Sequence, residues 1–500
     1  MTTHATGNAV AGLEPRSVWE FFAGIAAVPR PSKREERIRK HVKGLATQHG
    51  LAFREDSVGN IVIDVPATPG HAKASITVLQ AHLDMVCEKN ATTQHNFDNE
   101  GISLVVETEA ASGALIVRGD GTTLGADNGI GAALALAAAT SPEVVHGPLE
   151  LLFTVDEEEG MTGAKALSRE SFRGRNMLNL DSEEEDTVYI GCAGGCDLNL
   201  SWTLNVVTPT QGAEFRRVSV TGLRGGHSGV NIHEGRANAI KLLTRTLLRA
   251  PAGSLQLLSI CGGSKRNAIP REATAVVAGP SASLGELERA GTEVAKEATG
   301  ESFESEVSIG VQRVCDDLPE TALSAGDTAR VLDALMSLPS GVLGMHPKVA
   351  GLVETSNNLS TITMKADGSQ AVIAVGLLPR SSSASRMRET LDQLSAIGRL
   401  AGAGTSTGSA YPGWSPNPDS PILSVCRRVY QGLFHEEPKV AAIHAGLECG
   451  IIGERVGEMD MVSLGPTIRG AHSPDERVYV ASVERAWRYL VAVLAALARS

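Results

Sequence analysis

The stretch of sequence that decides the fold is Ser75-Ile76-Thr77-Val78-Leu79-Gln80-Ala81-His82-Leu83-Asp84. Its first seven residues have the length and the β-branched content of a buried strand. A strand that ends in a histidine and a carboxylate two residues apart carries both on one side of its tip. An imidazole there can bind a metal ion, and the carboxylate can orient that imidazole from behind. A histidine at a strand end is more often a structural residue, so this pair alone does not predict a metal site.

The same pattern, an apolar run beside acids or histidines, recurs along the chain. It is found at Gly125-Ala126-Asp127-Asn128-Gly129 before the alanine-rich run 130–139, at Asp156-Glu157-Glu158-Glu159 after the run 149–155, at Asp181 after the run 177–180, and at His472 after the run 461–464. In open α/β sheets the ligand site lies outside the carboxyl ends of the strands. We therefore expect these side chains to converge and to bind a pair of divalent ions, with zinc as the first choice.

Length and composition limit the classes of protein to consider. The chain of 500 residues is too long for one ordinary core, so two or three domains are expected. A net charge of -12 argues against nucleic acid as a partner. We find no secretory signal and no uncharged apolar stretch of 18 residues, so no membrane partner is expected. The seven cysteines are scattered and odd in number, which favours a cytoplasmic location.

The order of predicted elements indicates an α/β fold with an insertion. Strands and helices alternate up to Asp181, which predicts a catalytic domain with a mixed, mostly parallel sheet flanked by helices. Alternating strands and amphipathic helices then predict a separate α+β lid domain. This domain is inserted into the first, because the pattern of an apolar strand followed by a potential ligand recurs after it, at His472. The predicted boundaries are 1–194 and 396–500 for the catalytic domain and 195–395 for the lid and dimerisation domain. The sequence shows no internal repeat.

The inserted block has candidate functional residues of its own. In Gly225-Gly226-His227-Ser228-Gly229, the flanking glycines allow close backbone approach to a ligand and could act as hinges. The imidazole of His227 could donate to a developing oxyanion, although a turn with a solvated histidine explains the pattern equally well. Asn267 and Arg380 are weaker candidates, and an arginine can clamp a substrate carboxylate with two hydrogen bonds.

Taken together, these motifs resemble the cocatalytic dinuclear-zinc peptidases, a clan that includes aminoacylases, glutamate carboxypeptidases, carnosinases and bacterial dipeptidases. Within that clan, several stretches look like the family of bacterial aminoacyl-histidine (Xaa-His) dipeptidases: 79–86, 121–131, 266–272, 444–450 and 472–476. The similarity covers nearly the whole chain beyond the first dozen residues.

The resemblance implies roles for individual residues. The implied metal ligands of two divalent ions per subunit, most simply Zn²⁺ with Mn²⁺ or Co²⁺ as alternatives, are His82, Asp127, Glu158, Asp181 and His472. Asp127 would bridge the two ions, and a cis peptide bond would follow it. The implied catalytic residues are Asp84, Glu157 and His227, where His227 matches a lid histidine that in many relatives comes from the opposite subunit of a homodimer. The candidate substrate-binding residues are Asn267, Arg380 and Glu448.

The implied function is metal-dependent hydrolysis of unblocked dipeptides, preferentially Xaa-His, by a dizinc-activated water with Glu157 as general base. Close relatives have Thr-Glu-Glu-Ala where this chain has Asp156-Glu157-Glu158-Glu159, so Glu158 and Glu159 are an alternative base and ligand. The register from Gly160 favours Glu157 as the base. In the clan, Asp at the position of Asp181 accompanies dipeptidases and aminopeptidases. The alternatives are a tripeptide aminopeptidase, an N-acyl amino acid deacylase and, from another class, a non-catalytic metal-binding protein.

Overall fold

The protein forms two compact units. The computed structural model describes residues 9–302, 304, 306–316, 319–349 and 351–499. One unit contains the chain up to Gly191 together with 416–442 and 447 onward, and the other contains Cys192–Ser415 and Ile443–Gly446. The second unit therefore continues past the predicted boundary at residue 395. The reason is a strand at Gly404–Tyr411, which pairs with the strand Gly194–Val207 of the same unit.

The described residues form eleven α-helices and 24 strands. The helices are α1 (Arg16–Ala26), α2 (Glu36–Gln48), α3 (Ala126–Thr140), α4 (Thr162–Ala166), α5 (Ala239–Leu247), α6 (Ser281–Ser302), α7 (Ala325–Ser337), α8 (Ala384–Leu400), α9 (Pro421–Phe434), α10 (Glu448–Val456) and α11 (Val480–Leu497). The strands are β1 (Ala52–Glu55), β2 (Ile61–Val65), β3 (Thr77–His82), β4 (Leu104–Thr108), β5 (Leu115–Gly119), β6 (Leu149–Thr154), β7 (Asn176–Asn179), β8 (Thr187–Cys192), β9 (Gly194–Val207), β10 (Glu214–Thr221), β11 (Gly226–His227), β12 (Gln256–Gly262), β13 (Ala268–Ile269), β14 (Ala273–Gly279), β15 (Ser308–Arg313), β16 (Ala322–Leu323), β17 (Gly341–Met345), β18 (Val353–Asp367), β19 (Gln370–Ser381), β20 (Gly404–Tyr411), β21 (Lys439–Ile443), β22 (Asp460–Ser463), β23 (Ile468–Arg469) and β24 (Arg477–Tyr479).

The first unit is built on a mixed eight-stranded sheet, as the sequence predicts. The strand order is β1-β2-β6-β3-β7-β22-β8-β21. Its four central strands, β6, β3, β7 and β22, run parallel, whereas β1, β2 and β8 pair antiparallel. Every residue of β3 is buried, as expected for a strand covered on both faces. The parallel strands therefore deliver their carboxyl ends, and the polar residues that follow them, to one edge of this sheet.

Helix α3 explains the alanine-rich run of the sequence. It is buried along most of its length and packs against α1 and β3. A Cβ added to Gly131 would lie 2.3 Å from the carbonyl oxygen of Leu180, so only glycine allows this approach. The close packing holds the first turn of α3, which carries Asp127, next to the segment that leads from β7 into Asp181.

The second unit has a duplicated topology that the sequence does not reveal. Elements β10, α5, β12, β14, α6 and β15 form one βαββαβ motif with strand order β15-β10-β14-β12. Elements β9, α7, β18, β19, α8 and β20 form a second motif with strand order β18-β19-β9-β20. The first motif lies in the sequence between β9 and α7 of the second.

The two motifs join into one ten-stranded sheet through β12 and β18. These strands pair antiparallel, with Cys261 opposite Thr363 and Gly262 opposite Ile362. Residues from the helices and strands of both motifs belong to one apolar core. The β12 edge of the first motif is therefore covered by a strand of the same chain.

Candidate functional site

Five of the predicted site residues lie at strand or helix ends in the first unit. His82 is the last residue of β3, Glu158 lies in the loop after β6, and Asp181 follows β7. Asp127 lies in the first turn of α3, and His472 lies between β23 and β24. The predicted cis peptide bond between Asp127 and Asn128 is confirmed.

The carboxylate of Asp127 lies between two histidines. Its Oδ1 is 3.0 Å from Nε2 of His82, and its Oδ2 is 3.2 Å from Nε2 of His472. Each histidine also has a second carboxylate beside it. His82 Nε2 is 3.4 Å from Oδ1 of Asp181, and His472 Nε2 is 3.0 Å from Oε2 of Glu158. The arrangement is thus two histidine–carboxylate pairs that share one central carboxylate.

The donor atoms of this cluster suit divalent cations. The ligand atoms of His82, Asp127 and Glu158 lie within 4.8 Å of one another. Oε1 of Glu158 and Oδ1 of Asp181 are buried and have no hydrogen-bond partner within the described residues. A buried carboxylate oxygen without a partner is costly unless something compensates it, and an ion bound by oxygen and imidazole nitrogen would do so.

Asp84 supports His82 from behind. Its Oδ1 is 3.3 Å from Nδ1 of His82, which leaves Nε2 to face the cluster. The same carboxylate accepts hydrogen bonds from the backbone N–H groups of Glu157 (3.0 Å) and Glu158 (3.2 Å) and from the hydroxyl of Ser32 (2.7 Å). Asp84 therefore links the imidazole to the loop that carries the two glutamates, which is how outer carboxylates orient metal-ligating histidines.

The glutamates after β6 differ in their surroundings. Glu159 is exposed and pairs with Lys33 at 2.6 Å. Glu157 is partly buried, and burial raises its pKa well above the usual range, with the charges of Asp181, Glu448 and Glu158 acting in the same direction. Glu158, and not Glu157, is the residue beside His472.

The protein's own charges shift the other pKa values of the cluster in different directions. Burial opposes ionisation of Asp127, but hydrogen bonds with His472 and His82 hold its pKa well below the usual range. Hydrogen bonds with Asp127 and Glu158 raise the pKa of His472 to about 11. Burial raises the pKa of Asp181 to about 6. The clustered carboxylates of the first unit therefore repel one another when they are all ionised, and added positive charge would relieve that repulsion.

Two buried charges near the cluster were not predicted as site residues. The guanidinium of Arg30 donates to the carbonyl oxygens of Leu83 (3.0 Å), Asp84 (2.8 Å) and Gly125. Glu476 accepts hydrogen bonds from backbone N–H groups at the start of α3. Arg30 lies in a Pro-Arg-Pro sequence that indicates only a helix end, and Glu476 appears only as part of the 472–476 motif. Neither local pattern predicts a buried role.

The lid candidates lie together in the second unit. Nδ1 of His227 accepts hydrogen bonds from the N–H groups of Gly229 (3.2 Å) and Val230 (3.0 Å), so its neutral ring carries the proton on Nε2. That Nε2 is 3.4 Å from Nη2 of Arg380. Burial, followed by the charge of Arg380, lowers the pKa of His227 to about 4. At neutral pH this histidine is therefore an uncharged N–H donor.

The remaining two candidates have contrasting environments. Asn267 is exposed, and its backbone carbonyl accepts a hydrogen bond from the N–H of Ser228 at 2.8 Å, which places it beside the His227 loop. Glu448 is fully buried in the first unit, where it accepts from Nε2 of Gln80 (2.7 Å) and from the hydroxyl of Thr154 (2.6 Å). A role for either residue in substrate binding stays a prediction.

The fold agrees with comparison to known proteins. The profile of peptidase family M20/M25/M40 matches residues 78–496, and the chain belongs to this family. It is 41% identical over 486 residues to the cytosol non-specific dipeptidase of Escherichia coli (strain K12), which covers 96% of this chain and 98% of that protein. The crystal structure of aminoacylhistidine dipeptidase from Vibrio alginolyticus is similar at 40% identity with a TM-score of 0.86, covering 97% of both chains. The aminopeptidase PepT of Bacillus cereus shares the fold at 16% identity with a TM-score of 0.61.

None of the helices in the described part of the chain combines the length and the apolar character that a membrane crossing needs.

Proposed function

We propose that this protein hydrolyses unblocked dipeptides, with a preference for Xaa-His, at a centre of two divalent ions. The observation that carries the proposal is the Asp127 carboxylate, whose two oxygens face two separate histidine–carboxylate pairs. The names of the Escherichia coli and Vibrio alginolyticus relatives support a dipeptidase activity.

In this proposal Asp127 would contribute to both metal positions. His82 and Asp181 would hold one ion, and Glu158 and His472 would hold the other. Zn²⁺ fits the mixture of imidazole and carboxylate donors, and Mn²⁺ or Co²⁺ would also suit it. Ions held in this way supply Lewis acidity, which lowers the pKa of a water molecule and polarises a peptide carbonyl.

The chain's own residues then move the protons. Glu157 is the proposed general base, which accepts a proton from the attacking water and passes it to the leaving amine. Burial raises the pKa of Glu157, which favours the uptake of a proton by this carboxylate. Asp84 keeps the ring of His82 in one orientation through its contact with Nδ1.

The second unit supplies the proposed substrate contacts. The neutral His227 would donate from Nε2 to the carbonyl oxygen as negative charge develops there. Arg380 and Asn267 would hold the C-terminal carboxylate of the dipeptide. Arg380 is 3% exposed and donates to the hydroxyl of Tyr411, so its guanidinium is fixed before substrate arrives. Fixing a donor in advance reduces the entropy lost on binding.

A panel of substrates tests the reaction class. Metal-loaded protein should cleave β-Ala-His and α-dipeptides with free amino termini, and kcat/KM for Xaa-His should exceed that for tripeptides and N-acyl amino acids by about tenfold or more. The measurement is amino-acid release followed by chromatography. Faster cleavage of tripeptides or acylated amino acids would replace the dipeptidase proposal with the corresponding peptidase or deacylase.

Replacing His227 with alanine tests the oxyanion role. We expect kcat to fall about 100-fold, because one donor to the developing charge is lost, while KM changes much less. The residual activity of His227→Ala should keep the wild-type pH profile between pH 6 and 8, since the pKa of His227 lies near 4. A rise in KM with unchanged kcat would instead assign His227 to ground-state binding.

The proposed assembly is a homodimer in the cytosol. The name of the Escherichia coli relative supports the location. Because β18 already covers the β12 edge of the first βαββαβ motif, we expect a second subunit to bind at another surface. Sedimentation velocity across a range of concentrations would give the oligomeric state, and a monomer at all concentrations would contradict the homodimer.

A further inference from the structure

The carboxylate of Glu476 accepts four backbone hydrogen bonds at the N-terminus of α3. It accepts hydrogen bonds from the backbone N–H groups of four consecutive residues: Leu124 at 2.7 Å and Gly125 at 2.9 Å through Oε2, and Ala126 at 2.8 Å and Asp127 at 3.2 Å through Oε1. These groups have no intrahelical acceptor, and a negative charge is stabilised at a helix N-terminus. Glu476 is only 2% exposed. The last of the four donors belongs to the residue whose carboxylate lies between the two histidines.

Glu476 also lies four residues after His472 in the chain. The loop that carries His472 is thus attached, through one side chain, to the turn that carries Asp127. His472 itself is exposed, with 53% of its side chain accessible. In contrast to His82, which ends a central strand, His472 has no regular strand or helix of its own to hold it.

Arg30 gives the other side of the cluster separate support. Its guanidinium donates to the carbonyl oxygens of Leu83 and Asp84, directly after His82, and to that of Gly125. The position of His82 relative to Asp127 is therefore held by β3 and Arg30. The loop of His472 connects the paired strands β23 and β24, and Glu476 at its end is hydrogen-bonded directly to the turn that carries Asp127.

We propose that Glu476 is a positioning residue that sets the affinity of the metal position formed by Asp127, Glu158 and His472, and affects the position formed by His82 and Asp181 much less. This inference rests on the two-ion centre of the proposed function. Groups that orient metal ligands typically change metal affinity by 10–100-fold when they are altered.

The test is Glu476→Gln, which keeps the shape of the side chain. The amide retains one acceptor oxygen but turns an NH₂ group toward two of the four backbone N–H groups. Metal-free protein is titrated with Zn²⁺ against a chromophoric chelator, and Co²⁺ binding is followed by visible absorption. We expect one ion to bind with nearly wild-type affinity and the second about 10–100-fold more weakly.

The matched control is Glu150→Gln at the far end of β6. Glu150 is also a fully buried carboxylate, and it accepts backbone hydrogen bonds from Arg173 and Gly174 at 2.8 Å each. Its substitution should leave both metal affinities within about twofold of wild type, so general damage from a buried Glu→Gln change is measured separately. Glu476→Asp keeps both carboxylate oxygens and should restore part of the second affinity.

The outcomes separate the inference from the proposed function. Equal weakening of both positions in Glu476→Gln, or no weakening of either, would overturn the role of Glu476. If that variant does not fold, Glu476→Asp must show the same selective weakening in smaller degree, and its absence overturns the role as well. Uptake of fewer than two ions by the unmodified protein would overturn the two-ion centre itself.

Discussion

Glu157→Gln is expected to lower kcat for dipeptide hydrolysis by about 10³-fold while the protein keeps its bound metal, since a positioned general base contributes about 10²–10⁴-fold. An amide cannot accept the proton that the attacking water must lose. The metal should remain because Glu157 is not among the proposed ligands, and Glu158 is the acid 3.0 Å from His472. Backbone support for the loop should also survive, because it comes from the N–H of Glu157 to Asp84 and not from the side chain.

The measurement combines steady-state kinetics with metal analysis of the same preparation. Glu159→Gln is the matched control, because Glu159 is the neighbouring acid but is exposed and paired with Lys33. It should keep kcat within about twofold, as expected of an exposed ion pair. Full activity in Glu157→Gln with metal retained would show that Glu157 is not the general base. A loss of metal in Glu157→Gln would indicate that Glu157 is a ligand and that the base lies elsewhere.

The sequence predicted the position of the cluster because the rule it used is topological. His82, Glu158 and Asp181 each follow an apolar run, and parallel strands bring such positions to one edge of a sheet. Three parallel pairings among β6, β3, β7 and β22 satisfy that rule. The resemblance added what the pattern could not supply, namely the proposed role of Asp127 as a ligand shared by two ions.

The supporting residues could not be predicted in the same way. Arg30 acts through carbonyl oxygens of Leu83, Asp84 and Gly125, which are distant in sequence, and backbone acceptors carry no sequence signal. Glu476 likewise acts on backbone N–H groups some 350 positions away in the chain. An isolated Arg or Glu in a sequence is by default a surface residue.

The duplicated lid topology was missed for a related reason. A βαββαβ motif is defined by strand order and by which face is buried, and many sequences satisfy both. One copy is also interrupted, because α7 follows β9 only after the whole of the other copy. The predicted boundary at residue 395 precedes β20, which is polar and exposed along most of its length and so lacks the apolar alternation that predicts a strand.

Removal of metal should abolish activity and lower the melting temperature by roughly 10–20 °C at pH 8 for two ions, with a smaller decrease at pH 6. Each ion in 100-fold excess over its Kd stabilises by about 2.7 kcal/mol, and about 1 kcal/mol corresponds to about 2–4 °C in a unit of this size. The ionised carboxylates of Asp127, Glu158 and Asp181 together carry a charge of -3, and the positive charge of two divalent ions exceeds this. Without them, these acids are left together with Asp84 and Glu157.

The pH dependence follows from the direction of the pKa shifts. Burial raises the pKa of Asp181 to about 6 and that of Glu183, two residues further along the chain, to about 8. An acid whose folded pKa is raised contributes stability below its unfolded pKa, near 4, and loses it as the pH rises through the folded value. Hydrogen bonds with Asp127 and Glu158 raise the pKa of His472 to about 11, so its contribution also declines above about pH 6.5. The metal-free protein should therefore become less stable from pH 5 to pH 8.

The affinity for metal rises with pH, because the ligands must be deprotonated. This trend is opposite to that of the stability of the metal-free protein. The difference in melting temperature between metal-loaded and chelated protein should consequently widen from pH 6 to pH 8. Calorimetry at both pH values, with metal content verified, measures it. Asp127→Asn serves as the control, since a protein that has lost the shared ligand should melt at the same temperature with and without chelator. A difference that stays constant or narrows with pH, or an unchanged melting curve after complete metal removal, would contradict this account of the cluster.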